Sequence, residues 1–312
     1  MTTTRGISLI VAALCVSLTF VSCAERRLDN SPMDTQHFDK KFTVNPGGTL
    51  RVKTDVGSVR VTGSSGNEVS IVADMHGSQR DLERFKMSAD QKGNDVEVRG
   101  ESSHGGSWFS GFHDFDVDIV ISVPKNYNLN LSTAGGNVEV RSVTGSVDGS
   151  TSGGDVSVQD VEGGVTLGTS GGTVSAEKVK GDIRMSTSGG DVRGREIIGS
   201  VVAKTSGGNV NLEATDGEVE ARTSGGNVYI KLNGKGKGIH AETSGGNIDF
   251  EVPRDLAADL DLSTSGGEVT CDFPITISGK IQSDEIRGTV NGGGQKVYGH
   301  TSGGNVTVRP IK

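Results

Sequence analysis

The chain has 312 residues, of which 48 are glycine and only 6 proline, and its 31 basic and 39 acidic residues give a net charge of −8. Glycine without an every-third-residue spacing excludes collagen, and 32% hydrophobic residues exclude wholesale disorder. The acidic balance argues against a nucleic-acid partner, whose affinity would come from neutralising phosphates, and with 9 Phe, 3 Tyr and 1 Trp any core must be built from small aliphatic side chains.

From the N-terminus, Arg5 precedes an uncharged, largely apolar run from Ile7 to Ser22. That is long enough for a secretory signal and short of the ~20 residues of a spanning helix. The run ends Phe20-Val21-Ser22-Cys23, which resembles the lipobox of bacterial lipoproteins. The resemblance implies cleavage before Cys23 and acylation of its thiol, giving a signal over residues 1–22; the other reading is an ordinary cleaved signal with an incidental cysteine. Cys15 leaves with the signal and Cys23 would carry lipid, so Cys271 has no intramolecular disulfide partner. Residues 23–37 are polar, lack apolar periodicity and read as a flexible tether.

Residues 38–132 are irregular and β-rich. Phe42, Val44, Leu50, Val52, Val59 and Val61 alternate as strands, and Gly57-Ser58-Val59-Arg60-Val61 looks like a degenerate repeat. Leu82 and Phe85, three apart between Ser78 and Lys86, suggest one or two helical turns. Strands follow around Met87–Ala89 and Val96–Val98, then over Phe115, Val117, Ile119, Ile121 and Val123. This region reads as an N-terminal cap, because open sheet edges invite aggregation.

From residue 133 the sequence repeats. Thr-Ser-Gly-Gly begins at Thr151, Thr169, Thr187, Thr205 and Thr223, with a Thr-Ala-Gly-Gly variant at Thr133, each step being 18 residues; further copies start at Thr243, Thr264 and Thr301. After each Gly-Gly comes a polar residue and then strict alternation, as in Val156 and Val158, Val174 and Ala176, Val210 and Leu212, Val269 and Cys271. A second short strand follows nine residues on, as in Val165 and Leu167 or Ile183 and Met185. A unit this short cannot bury its own apolar face and must stack on its copies. The predicted fold is therefore all-β, a parallel β-solenoid of 18-residue coils over residues 133–312, with Ile275 to Lys312 as a C-terminal cap. The competing fold is an antiparallel meander, with Asp216-Gly217 and Asn233-Gly234 as hairpin signals.

Three expectations follow for the columns that stacking creates. The opening threonines form an inward or corner column; Gly-Gly turns the corner through positive φ and the missing Cβ; and Cys271 is a small buried hydrophobe. In the column after Gly-Gly (Asn137, Asp155, Thr173, Asp191, Asn209, Asn227, Asn247, Glu268, Asn305), carboxylates never follow one another directly, as like-charge repulsion requires.

Val123-Pro124-Lys125, Leu129, Leu131 and the Thr-x-Gly-Gly-x-Val coils together resemble the bacterial "putative adhesin" family, a group of β-strand repeat domains of unknown function. The resemblance covers most of residues 40–310. It implies a β-helix at the cell envelope and carries over no catalytic residue.

Motifs with chemical potential are few. Gly168-Thr169-Ser170-Gly171-Gly172 matches a nucleophile elbow in letters, but it is a repeat corner without strand-turn-helix context. Calcium-binding nonapeptides need Gly and Asp where this chain has Val156 and Val158. His113, Asp114, Asp116 and Asp118 share a strand, with His104 nearby, but carboxylates ~6.6 Å apart do not chelate one cation unaided and read as a solvated acidic face. Trp108, Phe109 and Phe112 lie in a Gly/Ser loop that is either a plug over the solenoid end or a contact loop. Gly234-Lys235-Gly236-Lys237-Gly238 reads as a solvated insertion.

These readings point to a non-enzymatic, lipid-anchored envelope protein at the outer membrane or cell surface, needing no cofactor or metal. It would present a rigid solenoid to an envelope protein or a glycan. A polysaccharide-binding or polysaccharide-active β-helix and an envelope-stress sensor or scaffold are the alternatives.

Overall fold

A computed structural model describes residues 33–103, 115–277 and 282–311. Each period folds into two strands. Val156–Glu162, for example, lies in one sheet and Val165–Gly168 in the other. Copies stack in parallel and in register: Val156 lies between Val138 and Val174, and Val165 between Val147 and Ile183. Among the described residues the result is a sheet of 13 strands facing a sheet of 14. The chain is a β-solenoid, not a meander.

Identical residues meet because the period is constant, and the apolar position of every strand points between the sheets. Val156, Val174, Val192, Val210 and Val228 form one buried column, and Val165, Ile183, Val201 and Val219 another. Burying each such side chain contributes roughly 1.5–3 kcal/mol. A further column was hidden in the sequence. Ser142, Asp160, Lys178 and Glu196 all take left-handed backbone, with φ of 58°, 55°, 55° and 54°. Each is skipped by the ladder, where Gln159 pairs Arg141 and the next pair is Val161 with Val143. The skipped residue resets the alternation, so Val143, Val161, Val179 and Ile197 also enter the core.

The threonine column is inward and corner-forming, as expected. Thr151, Thr169 and Thr187 are buried, and each hydroxyl donates to the second corner glycine of the preceding rung (Gly136, Gly154 and Gly172) at 2.7–2.8 Å. The same oxygen accepts the N–H of its own corner's second glycine, as Gly172 N does to Thr169. The Gly-Gly corners need no positive φ, contrary to expectation: within the 18-residue repeats it is Gly145, Gly163, Gly181, Gly199 and Gly217, at the opposite turn, that take left-handed backbone. Gly154 is required because a Cβ there would overlap the Gly136 carbonyl, whereas one on Gly153 would clear its nearest neighbour at 3.9 Å. Beside it, Asn137 Oδ1 accepts the Asp155 N–H at 2.8 Å, Asp155 Oδ1 the Thr173 N–H at 2.7 Å, and Asn209 Oδ1 the Asn227 N–H at 2.9 Å. The polar column is a hydrogen-bond ladder as well as a spacing of charges.

Both ends depart from chain order. Thr49–Thr54 and Ser58–Ser64 form a regular rung, seated between Asp95–Ser102 with Asp116–Pro124 on one side and Asn128–Thr133 with Val138–Thr144 on the other. At the far end Gln295–Thr301 and Val306–Pro310 slot between Gly238–Thr243 with Ile248–Val252 and Ala258–Thr264 with Val269–Cys271. The first and last rungs of the chain are thus clamped one place in from the ends.

Residues 38–132 therefore supply two regular rungs in addition to a cap. The cap is antiparallel: Asp34–Thr43 on Glu68–Gly77, Glu68–Gly77 on Asp116–Pro124, and Phe85–Lys92 on Asp95–Ser102. The short helix Gln79–Arg84 joins it, with Ser78 as N-cap. The strand at Asp34 begins inside the segment read as tether. Residues 275–312 are likewise not all cap; Ile275–Ile277 and Glu285–Val290 alone close that end, antiparallel. Cys271 is only half-buried, because Val269–Cys271 is the outermost strand of its sheet.

Candidate contact surface

Closing the apolar interior between two sheets leaves chemistry only to the outward faces, the corners and the ends. Along each strand the outward residues form rows that run from rung to rung. In the sheet that follows Gly-Gly, one row contains Glu139, Ser157, Ser175, Arg193 and Asn211, and the next Arg141, Gln159, Glu177 and Arg195. Between them lies an open trough lined by Glu139, Arg141, Gln159, Glu177, Arg193 and Arg195. Ser157 and Ser175 widen it at the middle. Glu139 is held by Arg60 at 3.2 Å and by Arg141, while Arg195 makes no ion pair among the described residues.

The same sheet carries an ordered cluster towards its C-terminal end. Tyr229 donates to Glu251 Oε2 at 2.7 Å, and Arg309 Nε donates to Glu251 Oε1 at 3.0 Å. Burial, then the Glu251 hydrogen bond, pushes the Tyr229 phenol up to about 12, and that bond holds the Glu251 carboxyl below its usual range.

The outward face of the other sheet is richest between its rungs at 218 and 301. His240 stacks on Tyr298 with centroids 4.5 Å apart and planes at 17°, close to the rung spacing. Arg222 reaches Glu220 at 2.8 Å, Glu242, and His240 Nε2 at 3.1 Å. Lys296 lies 5.5 Å from the centre of the Tyr298 ring. Because the two rings stack along the solenoid axis, their edges rather than their faces meet solvent. Ser263 Oγ and His300 Nδ1 are 2.9 Å apart on this face, 37 residues apart along the chain. Tyr298 and His300 come from the interleaved last rung, which explains why no spacing argument found the cluster.

The residues singled out from sequence have mixed fates. Cys23 and the loop residues Trp108, Phe109 and Phe112 lie outside the described residues, as do His104, His113 and Asp114. Phe115, just after the loop, packs edge-to-face on Phe85 at 5.4 Å, at the N-terminal end of the core. Asp116 and Asp118 sit in Asp116–Pro124; Arg60 lies 3.8 Å from Asp118 Oδ2, and His37 binds Asp74 at 2.7 Å on the neighbouring strands. Among the described residues no group of three or more His, Cys, Asp or Glu is placed to hold a metal ion. Ser170 is an exposed corner residue between two strands. Lys235 and Gly236 are in a loop whose Lys237 N–H donates to Gly217 O at 2.8 Å. Among the described residues no helix is long and apolar enough to cross a membrane.

A profile for the family described as Toastrack DUF4097 matches residues 48–309. Among solved structures, a "putative adhesin" from Parabacteroides merdae is 12% identical over 89% of this chain and 97% of its own, with a TM-score of 0.35. A "putative adhesin" from Bacteroides fragilis is 13% identical over 88% and 97%, with a TM-score of 0.29. A "putative cell adhesion protein" from Clostridium sporogenes is 12% identical over 88% and 100%, with a TM-score of 0.25. At such values the superpositions carry no argument about function. No curated protein matches the sequence.

Proposed function

This chain belongs to the Toastrack DUF4097 family, and from that premise we propose that it is a non-enzymatic envelope protein, exported and anchored through lipid on Cys23, that displays a rigid solenoid for adhesive or structural contacts. The observation that supports this reading is an apolar core enclosed between two long sheets, with open troughs on the outside. Such a body offers extended, pre-ordered rows of side chains for contact at little entropic cost. The polar tether and the lipobox resemblance supply the anchor. Replacing Cys23→Ser is expected to move the protein from the membrane to the soluble fraction and to abolish acyl labelling. A purified chain that turns over any envelope or extracellular polymer would remove the non-enzymatic reading.

A second reading, binding of a polysaccharide, is favoured by the convergence of Glu139, Arg141, Glu177, Arg193 and Arg195 on one trough. A glycan array on the purified chain tests it. Retention lost on Arg195→Ala supports a glycan contact, and retention unchanged by that substitution places any binding elsewhere.

A further inference from the structure

The strand Asp34–Thr43 ends the 13-stranded sheet, and all ten of its residues pair with Glu68–Gly77 on one side only. Among the described residues no strand pairs with its other edge, so alternate N–H and C=O groups there point away from the sheet. Gln91 Nε2 donates to the Thr43 carbonyl at 2.8 Å and marks where the open edge ends. Phe38 and Phe42 pack against the core but stay half-buried, because no further rung covers them. Lys41 has an exposed ion pair to Glu68 at 3.7 Å, while Asp39 and Lys40 have none among the described residues.

We propose that this edge pairs with the same strand of a second copy, antiparallel about a two-fold axis through Lys40. That register places Phe38 opposite Phe42 of the second copy and Asp39 opposite its Lys41, each pairing occurring twice. Aromatic pairs and opposite charges directly across a ladder both favour association. The half-buried rings become a covered layer that extends the core, and the backbone groups of the edge find partners. Lys40 shares the face of Phe38 and Phe42 and meets its own copy on the axis, a like-charge contact that opposes association and that the long stems relieve by carrying both ammonium groups out to solvent. The product is a two-fold dimer in which both copies continue one sheet. Charged residues on an edge also serve to keep strands apart, and the experiment separates the two roles.

In sedimentation of the full chain in detergent, at about 100 μM, a dimer is expected, since a ladder this short gives a weak interface. Asp39→Lys or Lys41→Asp alone is expected to weaken it about tenfold, and the double exchange to restore it, which a folding defect would not do. In a Cys271→Ser background, Lys40→Cys is expected to cross-link across the axis, where Cα atoms of facing residues are ~4.5–5.5 Å apart. Thr35→Cys, whose copies would lie about 34 Å apart, is expected not to. A chain that stays monomeric, a dimer indifferent to the charge exchange, or equal cross-linking at both positions overturns the proposal.

Discussion

A single hydroxyl illustrates how the rungs are tied. Thr169 Oγ1 donates to Gly154 O at 2.8 Å and accepts the Gly172 N–H in a buried corner, so one oxygen joins two rungs. Thr169→Val keeps the shape and orphans both partners; the expected loss is about 1–3 kcal/mol, read from urea midpoints. Ser170→Ala, one residue along and exposed, is expected to stay within ~0.5 kcal/mol. The sequence made this column legible, because the threonines share the parity of the buried residues. It could not show that the second glycine is held far more tightly than the first, a Cβ on Gly172 overlapping the Gly154 carbonyl of the rung before and one on Gly171 standing 3.3 Å from that of Gly153. Tyrosines give a different handle. Burial pushes the Tyr127 phenol up to about 12, and Tyr229 is held as high, both above the ordinary value near 10. A raised phenol favours the neutral form in the fold, so its stabilisation is complete below pH ~10 and is lost as pH climbs towards 12. Ultraviolet titration is expected to show little phenolate at pH 10 in the folded chain, then phenolate and unfolding together nearer 12.

Strands in this protein owe their length to a residue that no propensity scale would choose. Lys178 sits at φ 55° between Asp160 and Glu196, which occupy the same place in the adjoining rungs. Left-handed backbone costs a residue with a Cβ roughly 1–2 kcal/mol. Here the rephased strand offsets it by burying Val179. Lys178→Gly removes the Cβ clash at the cost of unfolded-state entropy; the expected result is neutral to ~1 kcal/mol more stable. Lys178→Val is expected to lose more than ~1 kcal/mol, and thermal melts of the pair would show the split. A β-branched gain would count against the strain argument. This element was illegible because Ser, Lys and Glu give no left-handed signal and Asp160 alone gives a weak one. The period was visible at that position, and the conformation was not. The same limit hid Val161 and its copies, which fall out of phase with Val156 and Val158 when strict alternation is assumed.

For the whole molecule, repetition explains both what the sequence disclosed and what it concealed. Eighteen-residue spacing identified a stack with two strands per rung. It could not rank the order of the last copies, since Thr243, Thr264 and Thr301 all open rungs with the same Thr-Ser-Gly-Gly corner. The hydrogen bonds settle that order: Thr301 donates to Gly246 at 2.7 Å and Thr264 to Gly304 at 2.6 Å. The aromatic and histidine cluster around Tyr298 was out of reach for the same reason. Removing residues 292–312 empties a place inside the stack, and hydrogen exchange is expected to show protection lost over residues 258–290 while 138–232 stay protected. Protection retained at Ala258–Thr264 would mean that the outer rung can shift inwards to fill the gap. Interleaving also dictates a timetable for biogenesis. A chain that emerges N-terminus first can lay down its middle turns as they appear, but Ala258–Thr264 stays without its inner neighbour until Gln295–Thr301 slides into its reserved berth.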